Sequence, residues 1–91
     1  MQRAEARTVA EHVLEGISRE PFDSLVVHYL TPQRVGARGP SGTSFVVELT
    51  AHWDDYACQT LRLTASVDDG GIVASLAPVS VDLVVTRPQG H

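Results

Sequence analysis

Between Ser44 and Thr86 apolar residues occupy every second position in three successive runs, and no other feature of the chain constrains its fold as tightly. Phe45, Val47, Leu49, Ala51 and Trp53 alternate with Ser44, Glu48, Thr50 and His52. Leu61, Leu63, Ala65 and Val67 alternate with Thr60, Arg62, Thr64 and Ser66, and Val79, Val81, Leu83 and Val85 with Ser80, Asp82 and Thr86. Side chains of a strand point alternately to its two faces, so the pattern predicts an antiparallel sheet with one dry and one wet face.

Upstream the period changes. Over residues 1–19, Ala6, Val9, Ala10, Val13 and Ile17 recur at three- and four-residue intervals, with Leu14 widening the stripe, as in an amphipathic helix. Pro21 disfavours helical geometry at the residue before it and should end that helix. Residues 22–35 fit two readings. Phe22, Leu25, Val26, Tyr29 and Leu30 have helical spacing, with Pro21 in the first turn. The Val26-Val27 pair, Tyr29 and Thr31 favour extended structure, and strand is the preferred reading. Pro32 would then sit at an edge or a bulge.

Turn chemistry divides the rest. Residues 36–42, Gly-Ala-Arg-Gly-Pro-Ser-Gly, should form a hairpin tip. A three-residue loop Asp54-Asp55-Tyr56 would set Leu49 opposite Leu61, Glu48 opposite Arg62 and His52 opposite Cys58, with a favourable cross-strand charge pair. Asp68-Asp69-Gly70-Gly71 reads as another hairpin turn, leading through Ile72, Ala74 and Leu76. The inward parity switches near Ala77-Pro78, which predicts a bulge within one long last strand.

The expected architecture is α+β, with one N-terminal helix packed on a four-stranded antiparallel meander. Residues 1–86 form a single domain and 87–91 a tail. This helix-then-meander order resembles the cystatin-like layout, in which a curled sheet wraps an N-terminal helix. The Gln-x-Val-x-Gly hairpin signature of that inhibitor family is not met, because Gln33-Arg34-Val35-Gly36-Ala37 lacks the final glycine. The resemblance therefore implies a layout and no inhibitory activity.

Seven basic against eleven acidic residues give a net charge of −4, which argues against a nucleic-acid or anionic-membrane binder. No stretch approaches the roughly 20 apolar residues that span a bilayer. No apolar run follows Arg3 and Arg7, so no secretory signal is expected and the cytoplasm is the expected compartment. All seven basic residues are arginine, which suggests a GC-rich, bacterial source. Cys58 is the only cysteine, so no intrachain disulfide can form.

Candidate chemistry is sparse. His52 and Cys58 would be a thiol beside an imidazole, a nucleophile with its base. His52, Asp54 and Asp55 offer ligands for a divalent metal, although adjacent aspartates in a turn more often satisfy local backbone donors. The 36–43 segment, with Arg34 nearby, has the glycines, arginine and hydroxyls of an anion grip, but lacks the lysine and following helix of a phosphate loop. Arg34, Arg38, Trp53 and Arg62 are the residues most suited to binding.

These features point to a small non-enzymatic module with no cofactor. It would bind a protein partner or a second copy, as in a dimer, through the sheet face, a sheet edge or the 36–43 tip. The alternative is a small-ligand-binding protein or small enzyme with a pocket between helix and sheet, lined by Phe45, Trp53 and Tyr29. The chain could also be one domain of something larger.

Overall fold

The computed structural model describes residues 3–68 and 79–88. Helix α1 spans Arg3–Ser18 and buries Ala6, Val9, Ala10 and Leu14, with Val13 and Ile17 packed at the margin, so the apolar stripe does what its spacing predicts. Ion pairs Arg7–Glu11 and Arg19–Glu15 lie along its solvent side. Backbone bonds from Arg19 to Gly16 and from Glu20 to Ile17 tighten its last turn before Pro21.

Residues 22–29 are helical, which corrects the preference for a strand and gives two helices where one was expected. In α2, Phe22–Tyr29, Pro21 takes the N-cap position and its carbonyl accepts the Leu25 N–H at 3.1 Å. Phe22 and Leu25 are buried, Val26 and Tyr29 pack beside them, and Val27 is left 74% exposed. Burial at three- and four-residue intervals outweighs the intrinsic preference of two valines and a tyrosine, a difference of tenths of a kcal/mol per residue. Glu20 then knits the helix together, accepting from Ser24 Oγ at 3.0 Å and from the Tyr29 hydroxyl at 3.2 Å. Burial, and after it the Glu20 charge, hold the Tyr29 hydroxyl above its ordinary pKa.

The sheet is a four-stranded antiparallel meander in the order β1-β2-β3-β4, comprising Gln33–Arg38, Ser44–Trp53, Thr60–Asp68 and Val79–Thr86. Gly36, Ala37 and Arg38, expected in the first hairpin tip, belong to β1; Gly36 pairs with Val46 and Arg38 with Ser44. The tip is shorter. The Gly42 N–H donates to the Gly39 carbonyl at 2.9 Å, Gly42 takes φ 90°, and the Gly39 N–H reaches the Thr43 carbonyl at 2.9 Å. This is a hairpin loop whose glycine supplies the left-handed residue.

The second hairpin keeps the predicted faces but moves the partners four residues along. Leu49 faces Ala65 instead of Leu61, Trp53 faces Leu61, and His52 faces Arg62 instead of Cys58. Asp55 is the cause. Its Oδ1 accepts the N–H groups of Gln59 and Thr60, both at 3.0 Å, and so organises residues 54–59 into a longer connection. Parity survives because a shift of four leaves every side chain on its own face.

The two helices share one face of the sheet, α1 over β3 and β4 and α2 over β2. Phe45, Val47, Leu49, Ala51, Leu61, Leu63, Ala65 and Val67 form the sheet side of the core, each no more than 2% exposed. Leu83, expected inside, is 38% exposed, because it lies on edge strand β4 at the rim of α1. The turn at 68–71, the run through Leu76 and the bulge near Pro78 fall largely outside the described residues. Of the segment read as a tail, Arg87 is held: its N–H donates to the Gln59 carbonyl at 2.7 Å, and its guanidinium to the Cys58 carbonyl.

Candidate functional site

No helix of the described residues lies over the wet face, and many of its polar side chains are engaged with one another. Arg62 lies at the centre. Its Nε donates to Asp54 Oδ1 at 3.0 Å, and its Nη1 to Asp82 Oδ2 at 3.4 Å. Thr64 donates to the other oxygen of Asp82 at 3.0 Å, and Ser66 and Ser80 share a hydrogen bond at 2.8 Å. The hydrogen bond and charge of Asp54, with a smaller share from Asp82, raise the Arg62 pKa. Glu48, which the expected register would have given to Arg62, lies 3.8 Å from Arg34.

The catalytic and metal candidates are scattered. His52 is an exposed strand residue facing Arg62, whereas Cys58 sits in the 54–59 connection at φ 58°, with its sulfur 4.0 Å from the Tyr56 carbonyl oxygen. Asp54 is taken by Arg62, and Asp55 by the backbone of its own turn. Among the described residues no three His, Cys, Asp or Glu side chains come together in a metal-holding group.

The hairpin tip read as an anion grip already holds an anion from its own chain. The Ser41 N–H donates to Glu5 Oε2 at 2.8 Å, and the Ser41 hydroxyl lies 2.8 and 2.7 Å from the two carboxylate oxygens. These donors lower the Glu5 pKa. The pairing links positions far apart in the chain, and no local pattern announces it.

Trp53 is also committed internally. Its ring is 6.0 Å from that of Phe22, and the Arg87 guanidinium lies 4.6 Å above Phe22 and 6.0 Å from Trp53. Phe45 is buried in the core, and neither it nor Trp53 lines any of the three described grooves. Tyr29 borders one of these, an open groove of about 650 Å³ between α2 and β1.

Arg34 and Arg38 are the two binding candidates left presented to solvent. Both stand on β1, which pairs with β2 on one side and with no described strand on the other. Composition and spacing single out both arginines but cannot place them on one edge, because residues 36–38 read as turn. No helix among the described residues is long and apolar enough to cross a membrane. Comparison with known proteins finds no matching family model, no matching curated protein and no matching solved structure.

Proposed function

We propose that this chain is a non-enzymatic protein-binding module whose contact element is the outer edge of β1. One observation carries the reading: the backbone of Gln33–Arg38 has a strand partner on one side alone among the described residues, and the helices lie mainly over the other three strands. An open strand edge accepts an extended segment through main-chain hydrogen bonds, while alternate side chains supply selectivity. The composition that suggests a bacterial, cytoplasmic setting, with arginine as the sole basic residue type and a single cysteine, belongs to this reading.

Selection of a random-peptide library on the immobilised chain tests it. Enriched peptides are expected to slow hydrogen exchange at the outward-facing amides of Gln33–Arg38. A library that yields no binder, or binders that protect only other strands, would overturn the reading.

A second reading, self-association, is favoured by the opposite edge. Strand β4 carries Leu83 and Val84, the latter 43% exposed. Two copies paired antiparallel about Leu83 would cover both leucines without setting Asp82 against its own mate. Sedimentation of the wild type and Leu83→Lys across micromolar to millimolar concentrations decides it. A dimer abolished by the lysine supports pairing at β4, and a monomer throughout removes it.

A further inference from the structure

The β1 edge has a chemistry of its own, and it specifies a class of partner. Arg34 and Arg38 lie on the open face of the sheet, opposite Glu48 and Ser44, whereas Val35 and Ala37 lie on the helix side, opposite Val47 and Phe45. Neither arginine is well neutralised. Arg34 is 76% exposed with its nearest carboxylate at 3.8 Å, and Arg38 has no ion pair among the described residues. The edge is thus locally cationic on a chain of net charge −4.

Beneath β1 the helices leave two recesses in line, the first with mixed walls that include Glu20, His28 and Arg34 and the second mainly apolar. One, about 650 Å³, lies between Val27 of α2 and Val35. The other, about 320 Å³, lies between Val13 of α1 and Ala37, with Pro40 at its end. The recesses therefore follow successive helix-side positions of the strand, two residues apart and roughly 7 Å at the rise of an extended chain.

We infer that the β1 edge receives an extended acidic segment of a protein partner, with the pattern acidic–apolar–any–apolar–acidic set opposite residues 34–38. The inference rests on the edge-binding reading above and adds to it the chemistry of the occupant. A strand added beside β1 continues the alternation. Its two acidic side chains would meet Arg34 and Arg38 on the open face, and its two apolar side chains would enter the recesses beside Val35 and Ala37. A second copy satisfies the pattern less well. Strand β4 offers Asp82, Leu83 and Val85 at the right spacing but ends on Thr86 where the second acid belongs.

The test is a titration of the isotope-labelled full chain with the capped peptide Ser-Glu-Val-Thr-Val-Glu-Ser, followed by amide NMR. Its comparators are the same peptide with both Glu replaced by Lys, and the reordered peptide Ser-Glu-Glu-Thr-Val-Val-Ser. The first peptide is expected to shift the amides of residues 33–38 and Val27 and to bind best at low salt. Two exposed ion pairs correspond to roughly five- to thirtyfold in affinity, so the R34E/R38E variant, its fold checked by circular dichroism, should bind about that much more weakly. That variant should prefer the lysine peptide. Equal binding of the glutamate and lysine peptides at β1 would overturn the acidic specificity while leaving edge binding in place. Shifts confined to other strands, no shifts at all, or loss of the β1 signals through self-association alone would overturn the inference outright.

Discussion

Glu5, in the first turn of α1, closes over Ser41 at the tip of the β1–β2 hairpin and ties the two ends of the fold's first half together. The donors favour the ionised carboxylate, so its pKa falls below the ordinary 4.5. A group whose folded pKa is depressed adds stability above its unfolded value and loses it as pH falls through the folded one. The hairpin contact should therefore be fully present above about pH 4.5 and weaken progressively in acid. Thermal midpoints of the wild type and Glu5→Gln, measured from pH 3 to 6, check this. The gap between them should narrow toward acid, and a gap that stays constant would remove Glu5 ionisation from the account.

Gly39 is required by the same clamp. A Cβ there would meet Glu5 Oε2, and would stand 2.8 Å from its Cδ and 3.0 Å from its Cγ. The side chain would have to swing away and release Ser41. Gly39→Ala is accordingly expected to destabilise the wild type. In a Glu5→Ala background the clash is gone, and the lost freedom of the unfolded chain should leave the alanine stabilising by about 0.4–1 kcal/mol. Urea unfolding of the four proteins in this cycle measures the coupling, and additive effects would contradict it.

The elements whose burial is set by local periodicity are legible in the amino-acid order alone. The stripe of α1 and the inward residues of β2 and β3 can be read directly, because a side chain's face follows from its place in the repeat. Residues 22–29 are ambiguous at that level: helical spacing and extended-chain preference conflict there, and only the docking of Phe22 and Leu25 against the sheet decides between them. The β2–β3 register escapes the pattern for a similar reason. Parity permits several loop lengths, and Asp55's capture of two backbone N–H groups selects among them. Arg62 suits Glu48 by charge but finds Asp54 and Asp82, one of which comes from a strand that local pairing rules do not reach. Glu5–Ser41 and Arg87–Phe22 are contacts between distant segments and leave no local trace.

The core side of the sheet should be far less forgiving than the rim of β1. Leu63, on the helix side of β3 beneath α1, is fully buried, so Leu63→Ala is expected to cost about 2–5 kcal/mol. Val27 is largely exposed, and Val27→Ala should change stability by no more than about 0.5 kcal/mol. Guanidinium unfolding of both variants checks the contrast. A large loss at Val27 in the isolated chain would mean that the recess beside it is closed in solution.

Arg87 anchors the C-terminal end of β4 through the shape of its guanidinium as well as its charge. The group lies over Phe22, donates from Nε and Nη2 to the Cys58 carbonyl at 3.4 and 3.1 Å, and stands 3.6 Å from Asp23. Stacking of a cation on an aromatic ring at a partly exposed site contributes about 0.5–1 kcal/mol, and a charged donor to a carbonyl somewhat more. Arg87→Ala should therefore cost about 1–3 kcal/mol and change the fluorescence of Trp53, which borders the same guanidinium. Arg87→Lys should recover little of that loss, since an ammonium lacks the planar fork that serves ring and carbonyl together. Asp23 is almost fully exposed, so Asp23→Ala should stay within about 0.5 kcal/mol of the wild type. Denaturant unfolding followed by tryptophan emission orders the three variants. If Arg87→Lys matched the wild type and Asp23→Ala matched Arg87→Ala, the anchor would be a simple ion pair.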